Sequence, residues 1–363
     1  MKSDKKLDIE MMRIFAAFFV LFNHTGNGGY LLFSQYDPNQ AQFWIYLLIA
    51  VFTKFAIFLF LMITGALMLN REPEPIKDLW KNRVLRMVLI VLVWVFVYYC
   101  VEVKKGNASF GIRQFLKGIY GSALSEWNSA LWYLYAHIAL LITLPLLQKI
   151  ARSLSNRDYL YMIGLFFAYS SLLPAAEQLL WQNKYHLTDS FNFDWICSLL
   201  LFYPLLGYFL QHRAKDFWNK KRVAFLWAVN IAALILTCYM SYQKILTLDS
   251  VDTGEIETTF KLFVAVNAAT IFVTFQYLAS HVNINKYFQK IICSLGGCTF
   301  GIYLMHILFL YKTTAHWRFA QGFRHWLHMN DIVSSLLACV CIFLICYAVT
   351  LLLKRIPLIK KLV

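Results

Sequence analysis

The chain has 363 residues, of which 60% are hydrophobic and only 15% charged; an ordinary soluble domain is about 45–50% apolar and about 25% charged. That composition excludes a soluble globular enzyme, a disordered chain and a secreted disulfide scaffold. The net charge of +15, on a chain this apolar, points to a membrane surface before it points to nucleic acid.

The predicted elements follow in chain order. A helix needs about 20 mostly apolar residues to cross a bilayer. Candidate spans run over Asp8–Tyr30, Phe43–Leu69, Val84–Val101, Ala130–Ile150, Leu160–Leu173, Trp195–Leu210, Val223–Tyr242, Phe260–Ser280, Ile291–Tyr311 and Ile332–Leu353. The first lacks a convincing cleavage site and reads as a retained helix. With the N-terminus cytoplasmic, the inside connections carry more than twice as many Lys and Arg as the outside ones. Lys2, Lys5 and Lys6 count inside, and the acidic stretch Asp249–Glu257 falls outside. The expected fold is an all-α integral membrane protein of about ten transmembrane helices. Both termini are expected in the cytoplasm, with no large soluble domain and a single domain over 1–363. Cys100, Cys197, Cys238, Cys339, Cys341 and Cys346 sit inside apolar runs with no CxxC pair, so they read as small buried hydrophobes.

Polar residues inside the spans carry the functional signal, since an ionisable group at bilayer depth costs about 2.5–3.5 kcal/mol or more. In the first span the apolar run Ile14–Phe22 is followed at once by Asn23-His24-Thr25-Gly26-Asn27-Gly28-Gly29. Nine residues rise only ~13.5 Å of a ~30 Å core, so this polar stretch is expected at membrane depth, lining an enclosed or wet cavity. His24 stands eleven positions after Arg13. Three turns plus about 20° put both on one helix face, ~16.5 Å apart along the axis. A basic group near each end of one face suits a long substrate reaching in from the cytoplasm. A helix–helix hydrogen bond is the alternative for His24.

Lys54 lies too deep in its span to snorkel easily, and reads either as a packing pair or as part of a site. Lys261 opens its span and reads as a snorkelling base. Arg83 and Arg86, at i and i+3, share a face. They either grip phosphates bidentately or form a positive-inside flank. Thr299, Tyr303 and His306 fall on one face of the ninth span, as a site or as a polar seam between helices. No HExxH, Cys/His metal spacing, P-loop, GxSxG or paired carboxylates occur.

These residues resemble the acyltransferase-3 family of integral membrane acyltransferases, in its surface-polysaccharide O-acetyltransferase branch. Glu10-Met-Met-Arg13 through Asn23-His24 is similar to the family's opening helix, an Arg, ten residues, then His, with Glu10 where an Asp often stands. Lys54 through Thr64-Gly65 resembles the second-helix pattern, but with Lys54, Ile57 and Thr64 in place of Arg, Pro and Ser. Arg83-x-x-Arg86 resembles the cytoplasmic Arg pair. Leu131-Trp132-Tyr133-Leu134 with Pro145 resembles the Leu-Trp-Phe helix. Thr299-Phe300-Gly301-Ile302-Tyr303-Leu304-Met305-His306 resembles the late Ser-x-Gly-Ile-Tyr-x-x-His helix.

The resemblance implies transfer of an acyl group, usually acetyl, from cytoplasmic acyl-CoA to a hydroxyl of a cell-surface or lipid-linked glycan. It implies His24 and Arg13 as catalytic residues, and Arg83 and Arg86, with Arg13 near them, as binders of the acetyl-CoA phosphates. Lys54, Trp132, Thr299, Tyr303 and His306 are implied on the substrate side. The expected setting is a multi-pass protein of the cell membrane, with no metal and no nucleic acid. The competing expectations are a transporter or flippase of a glycolipid or anion, weakened by the lack of an intramembrane carboxylate, and a sensory or structural domain without turnover.

Overall fold

The computed structural model describes residues 7–120, 129–188, 190–191, 193–247, 253–357 and 359–363. Every regular element among them is helical, with no strand. That is what lipid demands, because a helix satisfies its own backbone groups where no water can. The helices are α1 (Leu7–Asn23), α2 (Ala41–Thr53), α3 (Ala56–Met68), α4 (Ile76–Lys104), α5 (Trp132–Ser153), α6 (Asn156–Trp181), α7 (Leu199–His212), α8 (Lys220–Thr247), α9 (Thr253–Phe260), α10 (Val264–His281), α11 (Lys286–Tyr311), α12 (Ala315–Leu327) and α13 (Asp331–Leu353).

Each of the ten expected spans falls on a helix, but they are not alike in length. Seven are long and apolar enough to cross a membrane: α2 with α3, α4, α5, α6, α8, α11 and α13. The pair α9 and α10, bent by 54° at its break, passes the same test only when the two are taken together as one span. The expected first and sixth spans coincide with α1, of 17 residues, and α7, of 14, which reach only ~25 Å and ~21 Å at about 1.5 Å per residue. Lys2, Lys5 and Lys6 lie outside the described residues, as do Asp249 to Asp252 of the acidic stretch.

The short α1 lies inside the bundle, packed against α3, α10, α11 and α13. Its Met12, Ala16, Leu21 and Phe22 are fully buried. Apolar attraction between helices is weak in lipid, so close backbone approach has to come from small residues. The α3–α7 contact shows this. A Cβ on Gly65 would collide with the backbone of Pro204, and one on Gly207 with the backbone of Met62.

Two breaks interrupt the bundle near His24. The α2–α3 span opens at Lys54, freeing carbonyls that amide side chains then satisfy. Asn23 donates to Thr53 O at 3.0 Å, and Asn267 donates to Phe52 O at 2.6 Å. At the α9–α10 bend, Ser171 donates to Leu262 O. Irregular backbone at membrane depth is tolerated only where protein encloses it, and each break supplies that enclosure with polar side chains from neighbouring helices.

Candidate active site

A cavity of about 440 Å³ opens between α1, α3, α4, α5 and α11. Four guanidiniums border it: Arg13, Arg71, Arg83 and Arg86. Arg13 is anchored from its own helix, its Nη1 3.0 Å from Glu10 Oε1. Glu10 is only 4% exposed, and its second oxygen lies buried with no hydrogen-bond partner. It abuts Gly296, where a Cβ would run into the carboxylate. Arg83 pairs with Glu74. Arg86 donates from Nε and Nη2 to Lys361 O at 3.3 and 3.2 Å, and Arg71 donates to Leu67 O at 3.0 Å. Guanidiniums present flat, permanently charged forks that match phosphate oxygens. Four of them against the carboxylates of Glu10 and Glu74 leave the cavity electropositive.

Thr299 and Tyr303, on α11, line the same cavity. Beyond Tyr303 the aromatic contacts continue. The Tyr133 and Tyr303 rings lie 5.8 Å apart, those of Tyr303 and His306 5.7 Å, and those of His306 and His24 5.0 Å. The Tyr303 hydroxyl donates to Ala130 O. His24 Nδ1 lies 2.7 Å from Val20 O, and His306 Nδ1 lies 2.5 Å from Tyr303 O. A carbonyl only accepts, so each Nδ1 carries the hydrogen and each Nε2 carries a lone pair. His306 is 1% exposed and its Nε2 has no partner, whereas His24 is partly exposed. Two accepting nitrogens do not bond each other. What they lack is a donor, and a hydroxyl group is one.

Near His24 stands an ion pair between Lys54 Nζ and Glu257 Oε2, at 2.5 Å. The Lys54 ammonium also lies 5.5 Å from the centroid of the Tyr30 ring. Both charges are close enough to His24 to act on it electrostatically. Among the described residues, no three His, Cys, Asp or Glu side chains converge as metal ligands.

A profile of the acyltransferase-3 family, described as an acyltransferase domain, matches residues 6–351. The chain belongs to the acyltransferase-3 family. With its apolar helices, it is a membrane acyltransferase. No curated protein and no solved structure gives a significant match.

Within this acyltransferase, Arg13, Arg83, Arg86, Thr299 and Tyr303 share one cavity, while His24 and His306 pair beyond it. Lys54 does not line that cavity and is held by Glu257. Trp132 is 45% exposed and is not among the cavity-lining residues; its neighbour Tyr133 lines the cavity instead. Sequence reasoning passed over His137, which lines the cavity with its Nδ1 buried and unpartnered. It also passed over Glu257, because an acid inside an acidic loop gives no local sign of a distant lysine. A histidine thirteen residues before a span ends, as His137 stands before Ile150, was the available signal for the first.

Proposed function

We propose that this membrane acyltransferase moves an acetyl group from cytoplasmic acetyl-CoA to a hydroxyl of a cell-surface or lipid-linked glycan. It would act as one domain over 1–363 in the cell membrane, with both termini cytoplasmic and α1 and α7 completing ten spans. The observation that carries this reading is the run of contacts from a guanidinium-bordered cavity, through Tyr303, to two imidazoles with free lone pairs.

The donor's phosphates would meet Arg83 and Arg86, with Arg13 deeper along the same wall. The thioester would then lie toward Tyr303 and His24. A sugar hydroxyl is a weak nucleophile at neutral pH. His24 Nε2 takes its proton while the oxygen attacks the thioester carbonyl. When the tetrahedral intermediate collapses, the C–S bond breaks, and the imidazolium returns its proton to the departing thiolate. The products are an acetyl ester and free CoA. If the acetyl group passes first through the imidazole, the same nitrogen serves as nucleophile. The Tyr303 and Thr299 hydroxyls already donate to Ala130 O and Gly296 O and would offer the acceptor sugar lone pairs, while His306 Nε2 would accept from one of its hydroxyls. Membership in an acyltransferase family favours transfer over transport, although both would use a cavity of this kind.

The test uses the purified full chain in nanodiscs with radiolabelled acetyl-CoA and membrane glycolipid. The wild type is expected to label the glycolipid. His24→Ala is expected to bind acetyl-CoA normally and to transfer nothing measurable. Near-normal turnover in His24→Ala would end the proposal.

A further inference from the structure

The end of the molecule that carries His24 holds another cavity, of about 420 Å³, which the chemistry above leaves unused. Tyr36, Gln42, Ile45 and Tyr46 form one wall, and Asn330 and Asp331 the other. This cavity shares structure with the His24 loop. A Cβ on Gly28 would sit 3.4 Å from the His316 ring, and one on Gly29 would meet Ser335 Oγ. Ser335 lies one turn beyond Asp331 on α13, and Tyr36 closes the loop that begins at His24.

The polar groups here are fixed before any ligand arrives. The Tyr36 hydroxyl donates to Asp331 Oδ2, and Arg324 Nε holds Asp331 Oδ1 at 2.7 Å. The Tyr36 and Tyr46 rings meet edge to face at 5.1 Å. Asn330 Oδ1 caps α13 by accepting from Val333 N at 2.9 Å, which orients its amide. The hydrogen bond to Asp331, with burial, pushes the Tyr36 phenol above its ordinary value. Tyr36 therefore stays a donor to Asp331.

The chemistry differs from that of the guanidinium cavity. Asp331 and Arg324 neutralise each other, so no net positive charge calls for a phosphate. What is offered is a pair of aromatic rings beside the exposed amides of Gln42 and Asn330, with the remaining lone pairs of the Asp331 carboxylate held in fixed directions. A sugar ring has matching parts, an apolar C–H face and a belt of hydroxyls. The volume falls within the range of small-molecule sites, about 300–1,000 Å³.

We propose that this cavity binds a sugar unit of the acceptor glycan, remote from the hydroxyl that reacts at His24. This rests on the acyltransfer reading above, and it makes the cavity a specificity subsite. Binding energy gathered there would orient the reacting hydroxyl without touching it.

The test uses the full chain in nanodiscs and an array of immobilised neutral and acidic oligosaccharides, each presented free and lipid-linked. Ala41→Trp fills the cavity from an exposed position, and Gln42→Ala removes one exposed amide. The wild type is expected to retain at least one oligosaccharide class. Ala41→Trp should weaken that retention about tenfold or more, and Gln42→Ala a few-fold, with acetyl-CoA binding unchanged in both. Equal retention of free and lipid-linked forms identifies a soluble glycan as sufficient. Retention of the lipid-linked form alone, still lost in Ala41→Trp, identifies a glycolipid. An array that retains nothing, or Ala41→Trp binding as the wild type does, overturns the subsite. Cavity-dependent retention without any acetyl transfer would overturn the acyltransfer reading and leave the subsite standing.

Discussion

The imidazoles of His24 and His306 meet edge to face, 5.0 Å between centroids, each donating its Nδ1–H to a carbonyl of the preceding helical turn, Val20 O or Tyr303 O. Both Nε2 atoms are therefore acceptors by construction. A hydroxyl brought to His24 Nε2 meets a lone pair able to take its proton, which deprotonation of an alcohol requires.

The two histidines should fail as a unit. His24→Ala is expected to lower turnover about 100- to 10,000-fold, the usual range for losing a general base. His306→Ala should raise the acceptor KM more than it changes kcat, because it removes a contact and not the base. The double variant should be little worse in kcat than His24→Ala alone, since the His306 contact serves only to place the hydroxyl for the His24 base and residues that act as a unit are not additive. Radiolabel transfer kinetics decide this, and a fully additive double variant would separate the two roles.

The guanidinium cavity predicts a graded loss of donor affinity. Arg83→Ala and Arg86→Ala should each raise the KM for acetyl-CoA about 10- to 100-fold, from a charged hydrogen bond worth about 1.5–3 kcal/mol, with kcat nearly kept. Arg86→Lys should not restore binding fully, because an ammonium lacks the fork. Glu74→Gln removes the carboxylate that already holds Arg83 and should lower the KM a few-fold. Isothermal titration with CoA checks all four, and insensitivity in Arg83→Ala and Arg86→Ala together would move the donor site elsewhere.

The positions of the helices were legible in the sequence because apolar length is a local property; the face expected for Arg13 and His24 assumed a helix through residue 24, whereas α1 ends at Asn23. The crossing count was less so: α1 and α7 are apolar but short, and only the surrounding helices reveal that α1 is enclosed. Pairings across long separations left no trace. Glu257 meets Lys54 from 203 residues away, and no spacing rule reaches that far. Trp132 and Tyr133 show the finest limit. One residue is about 100° of helix, enough to turn the tryptophan outward and the tyrosine into the cavity.

The Lys54–Glu257 pair predicts a stability effect that depends on which partner is removed. Lys54 is 14% exposed and Glu257 32%, so Glu257→Ala leaves a largely buried ammonium uncompensated and should destabilise the protein. Adding Lys54→Met should recover most of the loss, because the isolated charge costs more than the missing pair. Thermal unfolding in detergent checks the order, which is Glu257→Ala lowest and the double variant close to wild type. A double variant as unstable as Glu257→Ala would mean the pair serves packing alone.

His316, in the first turn of α12, predicts a pH dependence. Its Nε2 lies 3.1 Å from Ser335 Oγ in a buried setting. Burial holds the imidazole below its ordinary value; the bond to Ser335 opposes this and the Arg324 charge reinforces it. The unfolded chain binds a proton near the ordinary value of about 6.5, where the folded chain still resists one. The stability this group contributes is therefore present above about pH 6.5 and is lost as pH falls toward the folded value, since the unfolded state then holds more protons. The melting temperature of the wild type should fall between pH 7.5 and pH 5.5, and His316→Gln should fall less over the same interval. The other buried histidines are common to both proteins and cancel in the comparison. Identical slopes would show that His316 titrates the same way folded and unfolded, and that its burial among Gly28 and Ser335 carries no proton linkage.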